Sequence, residues 1–258
     1  MKKLVKLLAL VLAFVLAVTC FAACGAKEEV KAPAEDSQSA TLKMATNAAF
    51  PPYEYKEGDE FVGIDVEMAA AVAEKLGMEL EILDMEFDSI ITSVQKGEAD
   101  VGIAGMTVTD ERLEEVNFSS SYATGVQSVI VPEGSEIASI DDLQGKKIGV
   151  QLGTTGDIYA TGDYGAEFVT QYGKGADAVI ALKGGDVDAV IIDNEPAKAF
   201  VAENEGLVIL DTEYAVEDYA IAVAKENTEL LDKINAALEE LTADGTIDSI
   251  ISKYIKAE

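Results

Sequence analysis

The sequence has 258 residues, of which 49% are hydrophobic and 26% are charged, so it can form one large domain or two smaller ones around a hydrophobic core. Its 48 acidic side chains outnumber 19 basic ones and give a net charge of −29, which makes nucleic acids and anionic membrane surfaces poor partners. The absence of histidine and the position of the two cysteines near the N-terminus exclude histidine-based catalysis, and disulfide or cysteine-nucleophile chemistry in the body of the protein.

The first 23 residues have the layout of a secretory signal peptide. Lys2, Lys3 and Lys6 precede an apolar run of 12 residues from Leu7 to Val18, and small residues follow it. Because a membrane-spanning helix needs about 20 apolar residues, this run is too short to be a typical spanning segment. We expect residues 1–23 to be removed during export.

The four residues FAAC, which end at Cys24, resemble the lipobox of bacterial lipoproteins. They predict cleavage before Cys24 and lipidation of that cysteine, for example with palmitate, while Cys20 is a weaker candidate. The alternative is an uncleaved anchor over residues 4–23. Residues 24–40 then comprise the lipidated cysteine and a flexible polar tether. Either arrangement places the protein at the extracytoplasmic face of the cell membrane, on the cell surface or in the periplasm.

The folded body is predicted to begin near Thr41, where strand-like runs start to alternate with helical patterns. The segment that ends at Gly77 has an apolar residue at every fourth position, which predicts a helix with a glycine C-cap. These apolar residues are Ile64, Met68, Val72 and Leu76. The alternation continues along the chain and is typical of an α/β sheet covered by helices.

One pair of segments repeats without a gap. SVQKGEADVGIAG (93–105) aligns with ALKGGDVDAVIID (181–193), so that Gly97 matches Gly185. Each segment contains a helix end, a glycine stop, a buried strand and a loop. Such units recur in many α/β folds, and the repeat favours two similar lobes without requiring them.

The chain is predicted to cross between these lobes twice, near residues 122–127 and 216–221. The second crossing returns the C-terminal helices to the first lobe. Residues 41–124 plus 222–258 are therefore assigned to lobe 1, and residues 125–221 to lobe 2. This connectivity predicts an α/β clamshell with a ligand cleft between its lobes.

Ligands of open α/β sheets bind at the carboxyl ends of strands, and the loop AGMTVTDER (104–112) follows a predicted strand. Thr109 is the predicted N-cap of a helix whose first turn also contains acids, yet Arg112 brings a cation to the free helical N–H groups. A guanidinium beside such N–H groups forms an anion site matched to a carboxylate. The alternative is a surface ion pair between Arg112 and Asp110 or Glu115.

Two further loops supply complementary groups. GVQLGTTGD (149–157) predicts a strand and a loop with exposed N–H groups, although an ordinary turn is the alternative, and the loop lacks the lysine of a phosphate-binding loop. Asp193 ends the strand VDAVIID, where its carboxylate can meet an ammonium group or else cap the next helix. Phe50 and Phe87 are either core residues or aromatic walls of the cleft. Together these loops predict a site for a zwitterion.

The body from about Thr41 to Tyr254 resembles the bacterial extracellular solute-binding proteins that deliver polar amino acids to ATP-binding cassette importers. GIDVEMAAAVAEKLG (63–77) is similar to the signature segment of that family, and GMTVTDER, VQLGTTGD and VDAVIID follow in the family's order and spacing. The resemblance implies a two-lobed fold of the type II periplasmic-binding-protein class. It also implies a monomer that binds one amino acid without a metal or cofactor and docks on a membrane permease.

The resemblance further implies a role for each site residue. Arg112 corresponds to the arginine that clamps the ligand α-carboxylate, together with the backbone N–H groups of Thr107 and Thr155. The α-ammonium is assigned to the carbonyl of Gly105, the hydroxyl of Thr107 and the carboxylate of Asp193. The remaining predicted ligand contacts are Phe50 and Phe87 around the side chain, Asn47, Gln151 and Thr154 at its far end, and Met106.

The resemblance leaves the ligand open between a basic amino acid and a glutamine-like one. Many family members that carry arginine, lysine or histidine have an acid where this chain has Asn47, whereas Gln151 and the GTTGD loop are similar to those of arginine-binding relatives. Two other functions are alternatives: an enzyme on the same fold, similar to cyclohexadienyl dehydratase, and a sensory or adhesion module. We expect neither, because we find no additional acid or base for catalysis and no fused receptor domain.

Overall fold

The computed structural model describes residues 40–211 and 214–256. The predicted signal peptide, both cysteines and nearly all of the predicted tether lie outside these residues. Within the described part of the chain, no helix combines the length and the apolar composition that a membrane crossing needs.

Strands and helices alternate along the described residues. The first part of the chain forms β1 (Thr41–Thr46), β2 (Tyr55–Glu57), β3 (Glu60–Val62), α1 (Ile64–Leu76), β4 (Glu79–Asp84), α2 (Ile90–Gln95), β5 (Val101–Gly102), α3 (Asp110–Glu115) and β6 (Val116–Phe118). The second part forms β7 (Ala123–Pro132), β8 (Ile148–Gln151), α4 (Thr155–Tyr164), β9 (Val169–Tyr172), α5 (Gly175–Gly184), β10 (Ala189–Asp193), α6 (Asn194–Glu203), β11 (Leu207–Ile209) and β12 (Ala215–Tyr219). The chain then continues through β13 (Ala222–Ala224), α7 (Thr228–Ala243) and α8 (Thr246–Tyr254).

The first sheet has the strand order β4-β1-β5-β13-β6. Its β1 runs parallel to β4 and β5, whereas β13 is antiparallel to β5 and β6. The predicted helix α1 covers this sheet with its apolar stripe, in which Ile64, Met68 and Val72 are fully buried. It ends as predicted at Gly77, whose φ of 67° is the left-handed conformation that a glycine C-cap supplies.

The second sheet has the order β11-β7-β10-β8-β9, and β12 pairs with β7 outside this path. Parallel pairing joins β10 to β8 and β8 to β9, while β7 is antiparallel to β10, β11 and β12. The described chain thus forms two large sheets flanked by helices and a small antiparallel sheet of β2 and β3, and the predicted two-lobed α/β fold is confirmed. The residues at which one lobe passes into the other stay a prediction.

The internal repeat of the sequence is reproduced in the structure. Gly97 and Gly185 both have a positive φ, 69° and 78°, after the helices α2 and α5. The aligned acids Asp100 and Asp188 directly precede β5 and β10, and they accept hydrogen bonds of 2.8 and 2.9 Å from the backbone N–H groups of Lys43 in β1 and Lys147 just before β8. The same kind of hydrogen bond therefore occurs in both lobes, directly before β5 and β10.

The two crossings between the sheets are paired strands, which differs from the sequence-based prediction. The first crossing lies in β7, which begins at Ala123 and pairs over residues 123–127 with β12, a strand that the sequence pattern does not indicate. The acids Glu217 and Asp218 disfavour a strand in isolation, and pairing with β7 overrides that local preference. After β12, β13 joins the first sheet, and α7 and α8 pack against α1.

Candidate ligand-binding site

A small cavity lies between loops of the two sheets, with about 300 Å³ of atom-free space when its open mouth is included. Its polar walls contain one arginine and two acids. The lining residues are Asn47, Phe50, Glu54, Phe87, Ala104, Gly105, Thr107, Arg112, Gln151, Thr154, Thr155 and Asp193. The structure thus brings ten of the eleven predicted ligand contacts around one cavity.

Arg112 enters this cavity from the first turn of the short helix α3. Thr109 caps the helix as predicted, with its hydroxyl accepting a 3.2 Å hydrogen bond from the backbone N–H of Arg112. The guanidinium is buried and donates to the carbonyls of Thr107, at 2.7 Å, and of Gly153, at 3.0 Å. The alternative of a surface ion pair with a neighbouring acid is therefore wrong.

The Arg112 side chain is a poorly neutralised cation. Its guanidinium lies 5.3 Å from the ring centre of Phe87, and both of its hydrogen bonds go to neutral carbonyls. Burial lowers the pKa of Arg112, while the negative charges of Glu217 and Asp193 oppose that shift. A buried cation of this kind gains most from an anion that offers two oxygens to its planar fork.

The second lobe presents the N-terminus of α4 to the same cavity. Thr154 is its N-cap and accepts a hydrogen bond from the backbone N–H of Asp157, at 3.4 Å, while its own hydroxyl donates to the carbonyl of Gln151, at 2.8 Å. Thr155 is the first residue of the helix and is 3% exposed. The free N–H groups of this first turn favour an anion, so the GTTGD loop is more than an ordinary turn.

Asp193 forms the anionic part of the wall. It occupies the N-cap position of α6, but its side chain makes no capping bond, so the alternative capping role is wrong. Its carboxylate accepts instead from the hydroxyl of Tyr219 and, at 2.8 Å, from the side-chain amide of Gln127. Burial raises the pKa of Asp193 to about 7, and the nearby charge of Glu217 acts in the same direction.

Phe50 and Phe87 are both almost fully buried, yet both line the cavity. Gly105 lies against Phe50, because a Cβ at this glycine would be 3.1 Å from the ring, and its φ of 50° favours glycine as well. The backbone N–H of Gly105 donates to Asp65 at 2.6 Å, which fixes the loop that carries this wall. The two phenylalanines therefore belong both to the hydrophobic core and to the cavity wall.

Asn47 and Gln151 meet from opposite sheets. The amide nitrogen of Gln151 donates to the side-chain oxygen of Asn47 at 3.0 Å, and Asn47 in turn donates to the carbonyl of Met85 at 2.7 Å. This pair forms a neutral polar end of the cavity.

Met106 is the predicted contact that does not line the cavity. Its side chain is fully buried in a core cluster, and its carbonyl accepts a 3.1 Å hydrogen bond from the backbone N–H of Ala220. Met106 thus faces the core, while the neighbouring Gly105 and Thr107 line the cavity.

Four polar residues near the cavity were missed from the sequence: Glu54, Gln127, Glu217 and Tyr219. Glu54 lines the cavity, is 1% exposed and keeps one oxygen without a hydrogen-bond partner among the described residues. Burial and the neighbouring Asp65 raise the pKa of Glu54 well above its ordinary value. An acid within the aromatic stretch FPPYEY was the available signal for this residue.

The fold and the site together define a two-lobed α/β binding protein whose cavity contains both a cationic and an anionic group. Residues 42–257 match the family described as bacterial extracellular solute-binding proteins, family 3. The chain belongs to this family.

Several relatives are similar over most of the chain. The arginine-binding extracellular protein ArtP of Bacillus subtilis (strain 168) is 36% identical over 246 residues, which cover 92% of each chain. The structure of an ancestral arginine-binding protein bound to glutamine is similar with a TM-score of 0.81 and 43% identity, covering 84% of this chain and 99% of that one. The arginine-, lysine-, histidine-binding protein ArtJ of Geobacillus stearothermophilus has a TM-score of 0.81 and 34% identity, with 84% and 96% covered.

Proposed function

We propose that the protein is the substrate-binding component of an ATP-binding cassette importer and binds one polar L-amino acid. Arg112 and the α4 N-terminus hold the α-carboxylate, while Asp193, the Thr107 hydroxyl and the Gly105 carbonyl hold the α-ammonium. The observation that carries this proposal is the convergence of Arg112 and Asp193 on one small cavity, since opposite charges on its walls match a zwitterion.

We propose a basic amino acid, with arginine first, as the preferred ligand. The relatives described above include arginine-binding proteins. Glutamine is the second candidate, because one of the similar structures is bound to glutamine and because the Asn47–Gln151 pair is neutral.

In the proposed mechanism, the ligand closes the two lobes. Hydrogen bonds already join the sheets on both sides of the cavity, from Arg112 to Gly153 and from Gln151 to Asn47. A ligand that contacts both lobes binds the closed form more tightly and shifts the equilibrium toward it. The permease then recognises the closed form, and no bond is made or broken in the ligand.

We further propose that the mature protein is a monomer anchored through a lipid on Cys24 at the extracytoplasmic face of the membrane. This proposal rests on the signal-like N-terminal sequence and on membership of an extracellular binding-protein family.

Calorimetric titration of the purified protein with each of the twenty L-amino acids tests the ligand proposal. We expect saturable 1:1 binding of L-arginine, and weaker binding of lysine, histidine or glutamine. Turnover of a cyclic organic acid, with no amino acid bound, would contradict the proposal and favour the dehydratase-like alternative.

A further inference from the structure

Glu217, on β12, is a buried carboxylate whose hydrogen bonds all converge on one oxygen. Its Oε2 accepts from the Thr107 hydroxyl at 3.1 Å, from the Thr155 hydroxyl at 2.9 Å and from the Gln127 amide at 3.0 Å. The other oxygen, Oε1, is buried and has no hydrogen-bond partner within 3.5 Å among the described residues, while the nearby Tyr159 has a pKa raised by burial and by this carboxylate. A carboxylate that served only stability would divide its donors between both oxygens, because an unsatisfied buried oxygen is costly.

The three donors come from different parts of the molecule. Thr107 lies in the loop after β5 of the first sheet, whereas Thr155 begins α4 and Gln127 lies on β7 of the second. All three side chains are at most 5% exposed, so solvent does not compete for these bonds. Glu217 therefore connects both lobes at the base of the cavity.

The hydrogen bond from Thr107 to Glu217 leaves the Thr107 hydroxyl oxygen as an acceptor. A threonine hydroxyl has one hydrogen to donate and two lone pairs that accept. Because the hydrogen is directed to Glu217, the Thr107 oxygen can only accept from a group in the cavity, which it lines. An ammonium group, which has three N–H donors and no acceptor, fits that requirement.

The Gln127 amide links Glu217 to the second acid of the site. Its nitrogen donates to Asp193 at 2.8 Å and to Glu217 at 3.0 Å, and it also lies 3.3 Å from the Thr155 hydroxyl, so the amide contacts both carboxylates. A neutral donor between two acids reduces their repulsion. Glu217 is thus connected to the Asp193 carboxylate through the Gln127 amide.

We propose that Glu217 is a positioning residue of the amino acid site, which orients the Thr107 hydroxyl and the Gln127 amide so that the ammonium-binding groups are arranged before the ligand enters. The inference rests on the proposed function, because it concerns the same cavity. Glu217 contributes to affinity through these two side chains and does not itself line the cavity.

A double-mutant cycle tests this inference. Calorimetry with L-arginine, or with L-glutamine if the amino acid panel selects it, is carried out on Glu217→Gln, Thr107→Val and the double variant. We expect each single variant to lower affinity by about tenfold, the size typical of a lost hydrogen bond to a charged group. The double variant should bind within about threefold of the weaker single variant, because both changes disable the same contact.

Glu195→Gln is the matched control. It also removes one negative charge near the cavity, but Glu195 is partly exposed and pairs with Lys198 at 3.0 Å, so affinity should stay within about twofold. Melting temperatures establish that each variant is folded. If Glu217→Gln does not fold, Glu217→Asp replaces it, because it keeps the charge but is one methylene too short to hold both threonines.

Three outcomes are distinguished by this design. If the affinity losses of the two single variants multiply in the double variant, to about a hundredfold in total, Glu217 and Thr107 act independently and the inference is overturned. Unchanged affinity in Glu217→Gln would overturn any positioning role. Absence of amino acid binding by the unsubstituted protein would overturn the proposed function and, with it, this inference.

Discussion

Arg112 is the single arginine of the sequence, and it occupies a position where helix electrostatics favour an acid. The conflict disappears in the fold, because the side chain turns away from solvent to the carbonyls of Thr107 and Gly153 and to the ring of Phe87. A planar guanidinium can keep both carbonyl contacts and still offer N–H donors to a ligand carboxylate. Lysine has neither the geometry nor the number of donors to do so.

Arg112→Lys should therefore weaken amino acid binding by at least tenfold, and Arg112→Ala by at least a hundredfold, with the melting temperature nearly unchanged. Calorimetry measures both. Lys56→Met is the control for lost positive charge, because Lys56 is 44% exposed in a surface pair with Asp84 and should leave affinity intact. Equal affinities of the Arg112→Lys and unsubstituted proteins would show that the guanidinium fork is not used.

Among the structural elements, the paired crossing strands β7 and β12 decide the geometry of the anionic wall. Glu217 on β12 lies opposite Gly125 on β7, and Tyr219 of the same strand donates to Asp193. A Cβ at Gly125 would overlap the Tyr219 ring and its hydroxyl. The glycine is thus required by close packing, which places the Tyr219 hydroxyl on the carboxylate of Asp193.

Gly125→Ala should destabilise the protein by about 1–3 kcal/mol and also weaken ligand binding, because overpacking displaces Tyr219 from Asp193. Gly162→Ala on α4 is a matched control, since a Cβ there meets no atom within 4 Å. That helical substitution should stabilise the protein by about 0.5–1 kcal/mol. Thermal unfolding and calorimetry give both quantities, and a Gly125→Ala protein as stable and as tight-binding as the unsubstituted one would contradict the packing argument.

The local sequence pattern predicts the secondary-structure elements well, but it predicts only part of the binding site. The apolar stripe and Gly77 predict α1, and the ends of strands predict where Arg112 and Asp193 lie. Glu217 and Gln127 give no local signal, because their roles arise only when β12 pairs with β7 and both meet the Thr107 loop. The side chain of Met106, a predicted ligand contact, is buried and does not line the cavity, since family resemblance gives the position of a residue but not the side to which its side chain points.

At the scale of the whole molecule, burial of acids at the cavity makes the unliganded protein sensitive to pH. Burial raises the pKa of Asp193 to about 7 and that of Asp65 to about 6, both above their ordinary value of 3.8. The folded state therefore holds more protons than the unfolded state between about pH 4 and pH 7. Stability from these two groups is greatest below pH 4 and is lost as the pH rises through their folded pKa values.

The melting temperature of the unliganded protein should accordingly fall as the pH is raised from 5 to 8, and Asp193→Asn should make that decline shallower. Acids with lowered pKa, such as Asp84 and Glu67, act in the opposite direction but below about pH 4.5, outside this window. Differential scanning fluorimetry across the range measures the slope. A melting temperature that rises between pH 5 and pH 7, or an identical slope in the variant, would contradict the assignment.

The central claim is that opposite charges from two lobes hold the α-carboxylate and the α-ammonium of one amino acid. Calorimetric comparison of L-arginine with agmatine, which lacks the carboxylate, and with 5-guanidinopentanoic acid, which lacks the ammonium, tests it most directly. We predict that each analogue binds at least a hundredfold more weakly than L-arginine, because each leaves a buried charge without its partner. Binding of either analogue within about tenfold of L-arginine would contradict the claim.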